Sequence, residues 1–266
     1  MRRYRSYLSL MARSTLYKEL LLMLGMAVVE GALFFYQSQK QITFLAAYTA
    51  DREEVWMSRA LTIGEMVENA RLSLVWFGGL LLLSLLLIRT AGRWRDYTLN
   101  RLGLSRVQGN LLYSGYCAVS FVLLWGFQAA LCLGMCLFYR QQLPAEMVTR
   151  QTILLSIYQV PLFSTLLPLA NGLRWVTDVF VMAALGVCAA GGARLMRLGR
   201  RPLASIELLV VLFWLEYGRN DSFDLSMEAV HITVAFCFGA VAVARMILWD
   251  NEDGEEEPDV QIGPYI

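Results

Sequence analysis

An acidic residue in the middle of a long apolar stretch is the first feature of this chain that could do chemistry. Glu30 lies within residues 19–37, where Glu19 at the first position is the other acid. An unpaired charge in the centre of a membrane span costs at least ~2.5 kcal/mol, so Glu30 must face a polar cavity, pair with another group or be protonated. We expect Glu30 to face the bundle or a translocation path rather than lipid, with a purely structural role as the alternative.

Other residue types exclude several enzyme classes. The two lysines, Lys18 and Lys40, do not follow a glycine, so there is no phosphate-binding loop and no nucleotide hydrolysis of that kind. The single histidine, His231, excludes a two-histidine metal motif. It could still pair with a serine as a hydrolase dyad, although a histidine at a helix start beside Glu228 favours a structural role. We therefore expect no metal, no cofactor and no enzymatic activity.

The cysteines favour packing over redox chemistry. All of them lie within predicted spans, so no external disulfide is expected. Two of them are four residues apart, but two thiols without further ligands do not form a metal site. The five are Cys117, Cys132, Cys136, Cys188 and Cys237.

The segments that must position these residues are long and apolar. The chain has 266 residues, of which 57% are hydrophobic and 17% charged, with a mean hydropathy of +0.49. A hydrocarbon core of ~30 Å needs roughly 20 helical residues. We predict an all-α, polytopic membrane protein with six transmembrane helices over residues 19–37, 72–88, 111–139, 173–193, 203–217 and 229–249.

The distribution of positive charge predicts the orientation of these helices. With the N-terminus inside, the cytoplasmic segments hold fourteen of the 23 lysines and arginines and the exterior segments hold eight; Arg245, within the last span, is set aside. The two short inner loops are almost purely basic, and short loops determine orientation most strongly. We predict a multi-pass protein of the cell membrane with both termini in the cytoplasm.

Residues 151–173 are the main alternative to this topology. This uncharged segment could form a seventh span, which would move the basic residues 194–201 outside. However, Pro161, Pro168 and several amides interrupt it, and apolar runs broken by proline make poor straight spans. We interpret the segment as a re-entrant or interfacial helix on the outer side, with a spanning helix left open.

Both ends of the chain have distinct patterns. Tyr4, Tyr7, Leu8 and Met11 recur at helical spacing opposite several arginines, which predicts an amphipathic interface helix on the cytoplasmic leaflet. Residues 250–259 contain seven acids, which predicts a solvated tail too polar to fold alone. The predicted organisation is a six-span transmembrane domain over 1–249 and an acidic cytoplasmic tail over 250–266.

The inner loop at residues 89–110 is too long for a simple turn. Tyr97, Arg101 and Leu104 would share one helix face, and Gly103 and Ser105 indicate a bend before the third span. A basic loop lying on anionic lipid is the simpler interpretation. It would explain the arginines but not the close alternation of apolar and polar residues, which favours a short, rigid helix presented to a cytoplasmic partner.

Residues 98–106, Thr-Leu-Asn-Arg-Leu-Gly-Leu-Ser-Arg, resemble a segment of ATP-binding-cassette type-2 exporter permeases. That family commonly has Thr-Leu-x-x-Leu-Pro-x-Ser-Arg there, and Gly103 replaces its proline. The similarity at motif level covers about ten residues, whereas the similarity in helix layout covers the whole chain. The resemblance implies a coupling helix that docks on a separate ATPase subunit, through Tyr97, Thr98, Leu99, Arg101, Leu102, Gly103, Leu104, Ser105 and Arg106.

The resemblance further implies a permease subunit of an ATP-driven exporter, working as a homodimer or heterodimer in membrane lipid, with no nucleic-acid partner. ATP hydrolysis then belongs to the partner, so the absence of a phosphate-binding loop is expected. A membrane scaffold or sensor that recruits another cytoplasmic partner is the alternative, and a hydrolase using His231 is a third. The transported substrate is not indicated by any residue of the chain.

Overall fold

The computed structural model describes residues 2–49, 63–92, 105–142, 161–168, 172–199 and 225–255. The helices in these ranges are all α-helices, they are joined by a few turn and irregular residues, and these ranges contain no strand, in agreement with the predicted all-α class. The helices are α1 (Arg2–Thr49), α2 (Ile63–Asn69), α3 (Leu72–Gly92), α4 (Arg106–Gln142), α5 (Pro161–Leu166), α6 (Gly172–Arg197) and α7 (Leu225–Glu255).

Four of the predicted spans coincide with helices that are long and apolar enough to cross a membrane. These apolar stretches are Tyr4–Lys40, Leu72–Ala91, Val107–Gln141 and Gly172–Arg197. The predicted sixth span lies in α7, whose apolar part is the shorter stretch Ala229–Arg245. The predicted fifth span, 203–217, lies outside the described residues, so the count of six stays a prediction.

Helix α1 is uninterrupted over 48 residues. At 1.5 Å per residue it is about 72 Å long, more than twice the hydrocarbon thickness of a bilayer. The predicted interface helix is therefore continuous with the first span. Two residues of its apolar face, Tyr7 and Met11, are fully buried against the protein, whereas Tyr4 and Leu8 are exposed. Placement of this segment on a lipid leaflet stays a prediction.

Helices α1 and α4 run parallel, because residues further along α1 meet residues further along α4. In order, the contacts join Tyr7 with Gly109, Glu19 with Ser120, Glu30 with Gln128 and Phe34 with Tyr139. Two helices separated by one returning helix, α3, should be parallel if each crosses once. The pairing therefore agrees with alternate crossing by the first three predicted spans.

Helices α4 and α6 run antiparallel. Ala118 of α4 packs on Gly186 of α6, and Trp125 lies edge-to-face on Trp175 with ring centroids 5.2 Å apart, so the numbering rises on one helix as it falls on the other. The chain between them, 143–171, consequently leaves and returns at the same end of the bundle. The three interpretations of residues 151–173, a re-entrant, an interfacial or a spanning helix, stay predictions. Within that segment the short helix α5 packs on α4 and buries Phe163.

The ends of four helices meet where the basic inner segments begin, and we call this the basic end. It comprises the first turns of α1 and α4 and the last turns of α3 and α6. Helix α6 reaches Arg197, four residues past the predicted end of its span, so Arg194 lies in the helix and is only 2% exposed. Arginines in the last turn of a helix are favoured by its dipole, which extends the helix beyond its purely apolar part.

Helix α7 continues into the segment predicted as a solvated tail. The helix ends at Glu255, so its last residues include Asp250, Glu252 and Asp253. Acids near a helix C-terminus are unfavourable for its dipole, and continuity with the apolar part of α7 is what supports these turns. The rest of the tail lies outside the described residues.

Orientation across a membrane is testable by cysteine labelling. We expect sites near Arg95 and Gly199 and at both termini to react from the cytoplasmic face, and sites near Arg52 and Glu146 from the outside, because of the arginine asymmetry. Membrane-impermeant maleimide on intact cells and on inverted vesicles gives the sidedness, in a background with the exposed Cys237 replaced. External labelling at Gly199 would contradict the predicted orientation.

Candidate functional site

The buried face of helix α1 combines polar with apolar residues, and its exposed face carries large apolar ones. Thr15, Glu19, Glu30 and Ser38 are all less than 5% exposed, and they recur at spacings that place them on one side of the helix. The opposite side exposes large apolar residues, among them Leu20, Leu21, Leu24, Val28 and Phe35. The buried polar residues of α1 meet polar residues of α4, and we call this set the polar seam.

Glu19 forms one half of the polar seam. Its Oε1 accepts hydrogen bonds from the Tyr116 hydroxyl at 3.0 Å and from the Ser120 hydroxyl at 3.1 Å. The Thr15 hydroxyl also contacts the Tyr116 hydroxyl at close range. The Thr15 hydroxyl also donates to the Met11 backbone carbonyl at 2.9 Å, and either oxygen can be the donor in its contact with Tyr116. The result is a cluster of hydroxyl groups beside a buried carboxyl group.

Glu30 forms the other half, eleven residues and three helical turns further along the same face. The Gln128 side-chain nitrogen lies 2.7 Å from both carboxyl oxygens of Glu30 and 3.6 Å from the Cys132 sulfur. Glu30 and Gln128 are both fully buried. Glu30 therefore faces the bundle through α4, as we expected of an acid within a span. Its part in a translocation path stays a prediction.

The polar seam is a set of buried hydrogen-bonding groups. They are the carboxyls of Glu19 and Glu30, the amide of Gln128 and the hydroxyls of Thr15, Ser38, Tyr116 and Ser120. In the part of the chain that the structure describes, no three potential ligands come together as a metal site. A polar substrate group or a proton could exchange hydrogen bonds with these side chains if α1 and α4 moved apart.

A double-mutant cycle tests the Glu30–Gln128 contact. Glu30→Leu and Gln128→Leu should each destabilise the fold by about 1–3 kcal/mol, because each leaves a buried polar partner without its hydrogen bond. The double variant should lose clearly less free energy of unfolding than the two single variants together, since replacing both partners by apolar groups is nearly neutral. Denaturant unfolding in detergent measures the cycle. Strictly additive losses would show that the two side chains do not interact.

Most of the predicted coupling residues, from Tyr97 to Leu104, lie outside the described residues. Ser105 and Arg106 lie at the start of α4. The Ser105 hydroxyl accepts a hydrogen bond from the backbone N–H of Gln108 at 3.2 Å, which is the geometry of a helix N-cap. The predicted bend before the third span thus coincides with a capped helix start.

Two buried tyrosines hold the helix ends on either side of this loop. The Tyr113 hydroxyl donates to the Leu87 carbonyl at 2.7 Å, joining α4 to the last turns of α3. The Tyr7 hydroxyl donates to the Gly109 carbonyl at 3.3 Å, joining α1 to the first turn of α4. Both side chains are at most 1% exposed. The segment from 93 to 104 therefore starts and ends on helix turns that are fixed to each other.

Sequence reasoning missed most partners in the polar seam. It identified Glu30, but it treated the third span only as uncharged and assigned no role to Tyr116, Ser120 or Gln128. A signal was present, since Tyr116 and Ser120 share a helix face and Gln128 follows two turns later on an otherwise apolar helix. Their pairing with α1, about 100 residues away in the chain, has no counterpart in local periodicity.

Comparison of the chain with protein-family models, with curated proteins and with solved structures found no match.

Proposed function

We propose that this chain is the membrane-spanning permease subunit of an ATP-driven exporter, coupled through residues 89–110 to a separate ATPase subunit. The observation that favours this function is that the helix turns on either side of that loop are hydrogen-bonded to their neighbours. A loop that transmits force from a partner must connect helix turns that do not move independently. The Tyr113 hydroxyl holds α4 on α3, and the Tyr7 hydroxyl holds α1 on α4. The motif at residues 98–106 supplies the surface that docks.

A membrane environment is supported by the surface of the bundle. Exposed apolar side chains cover α1, α3, α4 and α6, and contiguous apolar surface of this extent is unfavourable in water. In lipid it carries no such penalty, while the helical backbone satisfies its own hydrogen bonds. The proposed orientation, with both termini and the basic end in the cytoplasm, follows from the excess of arginine in the inner segments.

In the proposed exporter, movement of α4 relative to α1 would change the hydrogen bonds of the polar seam. Closure of the ATPase would push on the loop at the base of α4, and α4 carries the partners of both Glu19 and Glu30. A shift of α4 along α1 would exchange these hydrogen bonds. Glu30 is thus proposed to face a translocation path that opens between the two helices.

Glu30→Gln tests this role, because glutamine preserves the side-chain size and an oxygen that accepts from Gln128 but removes the acid. We expect normal insertion and a change in transport-stimulated ATPase activity, measured with the reconstituted complex. Wild-type activity together with wild-type stability would assign Glu30 a structural role only. Ser38→Ala is the comparison variant, because Ser38 is also a buried polar residue of α1 but carries no carboxyl group. Its transport-stimulated ATPase activity should stay at the wild-type level.

Co-purification of the native protein tests the proposed function as a whole. An affinity-tagged chain expressed at natural level should retain a nucleotide-binding subunit in mild detergent, and ATP hydrolysis in the eluate should require that subunit. Recovery of a different cytoplasmic protein, with no ATPase, would support the scaffold or sensor function in its place.

A further inference from the structure

Two exposed tyrosines bound the exposed apolar face of α1. Tyr17 is 73% exposed and Tyr36 is 67% exposed. The exposed residues within 20–35 are all apolar or glycine, whereas the exposed Lys18 and Lys40 lie beside or beyond the tyrosines. The tyrosines are 19 residues apart, which is about 28 Å along a helix and close to the ~30 Å of a hydrocarbon core. Tyrosine is enriched where a membrane meets water, so α1 crosses the core from Tyr17 to Tyr36 in the membrane placement proposed above.

The first turns of α1 lie outside that core. Tyr4 and Leu8 precede Tyr17 by about 20 Å and about 14 Å along the helix. The headgroup layer on each side of the core is only about 5–8 Å thick, so at the usual tilt of about 20° these two side chains are beyond the lipid. Both are exposed and one turn apart, and Arg5 beside them is exposed as well. We call Tyr4, Arg5 and Leu8 the N-terminal strip, a surface that is both apolar and basic and that lipid does not cover.

Helix α7 ends near the N-terminal strip. Val243, near the end of the apolar part of α7, lines a cavity with Asn110 of the first turns of α4, where the Tyr7 hydroxyl donates to the Gly109 carbonyl. From Val243 the helix continues to Glu255, about 18 Å past this level. Both α1 and α7 pack on α4, and packed helix axes are about 8–10 Å apart, so the axes of α1 and α7 lie within about 20 Å of each other. The end of α7 is therefore roughly 25 Å from the N-terminal strip.

The segment that follows α7 has the length and the chemistry to cover this strip. Residues 256–266 lie outside the described residues, and an extended chain of that length spans about 36 Å. Three of them are acidic and four are apolar: Glu256, Glu257 and Asp259, then Val260, Ile262, Tyr265 and Ile266. Anionic lipid repels such acids, whereas Arg5 and its sequence neighbours Arg2 and Arg3 attract them. The segment complements the N-terminal strip in both charge and polarity.

We propose that residues 256–266 dock on the N-terminal strip of the same chain, with the acids beside the arginines and the apolar residues on Tyr4 and Leu8. This contact depends on the membrane placement in the proposed function but not on transport or on an ATPase partner. It covers apolar side chains that would otherwise face water at the basic end. The corresponding segment of a second copy and the lipid leaflet are the other occupants that the strip could take.

Site-specific photo-cross-linking tests this contact. Tyr4 is replaced by the photoreactive residue p-benzoylphenylalanine, which keeps an aromatic ring at that position. Tyr36, exposed on the same helix at the other side of the core, is the matched control. The full chain is purified alone, placed in nanodiscs of phosphatidylethanolamine and phosphatidylglycerol, irradiated and digested for mass spectrometry. We expect a cross-link from position 4 to residues 256–266 within one chain, and none from position 36 to that segment.

Charge variants separate docking from chance proximity. Glu256→Gln, Glu257→Gln and Asp259→Asn combined should lower the cross-link yield by roughly five-fold, because exposed ion pairs are individually weak and act here as a group. Salt at about 1 M should have a similar effect, since it shortens the Debye length to about 3 Å. Gln261→Asn changes an uncharged residue of the same segment and should keep the wild-type yield. Thermal unfolding checks that every variant is folded.

Three results would overturn the proposal. Cross-links from position 4 to lipid alone would place the strip on the leaflet, and a yield that neither the charge variants nor salt alter would remove the electrostatic basis of docking. Covalent dimers in place of products within one chain would assign the strip to the segment of a second copy.

Nitroxide labels at Ser9 and Leu24 of α1, in a background with the exposed Cys237 replaced, test the membrane placement separately. We expect a water-soluble relaxation agent to reach Ser9, and oxygen dissolved in the hydrocarbon core to reach Leu24. A Leu24 label in water would overturn both the proposed function and this contact. A Leu24 label in lipid, without a cross-link from position 4 to residues 256–266, would overturn this contact alone. These outcomes do not depend on whether co-purification finds an ATPase.

Discussion

Gly186→Ala is expected to destabilise the protein by about 1–3 kcal/mol, and Gly186→Leu to prevent folding. A Cβ atom at position 186 would lie 2.5 Å from the Ala118 Cα and 2.9 Å from the Cys117 carbonyl carbon, distances that real Cβ atoms essentially never show. These neighbours are backbone atoms of α4, so relief requires separation of the two helices. Glycine permits this close crossing, as small residues commonly do between membrane helices. Denaturant unfolding in detergent measures the loss.

Gly79→Ala is the matched control for this effect. A Cβ atom there would also collide with a neighbour, but that neighbour is the end of the flexible Met26 side chain. Methionine has three rotatable bonds and can move aside, so we expect a change near zero or a small gain from the helix propensity of alanine. Equal stability of Gly186→Ala and Gly79→Ala would mean that α4 and α6 do not cross at Gly186.

The double substitution of Leu102 and Leu104 with Asp is expected to abolish association with the proposed ATPase subunit while the protein still inserts and folds. In the proposed coupling helix these leucines are central apolar contacts, with Tyr97 and Leu99 beside them and the charges of Arg101 and Arg106 at the rim. Apolar anchors at the centre of an interface contribute most of its binding energy, and rim charges mainly set orientation. Quantitative pull-down of the ATPase by the tagged permease measures the effect.

Arg89→Ala and Arg93→Ala provide the comparison. Arg89 is exposed in the last turn of α3, nearer the membrane than the motif. Replacing either arginine should lower the yield of the partner far less than the double aspartate variant does. If the double variant recovered its partner at wild-type yield, residues 89–110 would be only a lipid-facing basic loop, and the proposal of a transporter would depend on helix layout alone.

Local sequence was sufficient to locate the helices of this protein. The predicted spans at 72–88, 111–139 and 173–193 lie inside α3, α4 and α6, because an uninterrupted apolar run satisfies its backbone within one helix and needs no distant partner. Helix ends were less well predicted. Arg194 and Asp250 continue helices that apolar composition alone would have ended, since a polar residue can extend a helix whose other turns are already fixed.

The sequence could not predict the contacts between residues that are distant in the chain. Periodicity places Glu30 on a face of α1, but it cannot indicate that this face meets Gln128, because the two are 98 residues apart. The same holds for the antiparallel packing of α4 on α6, where Ala118 meets Gly186 and Trp125 meets Trp175. Tertiary packing alone determines which polar groups lose water and which partners replace it.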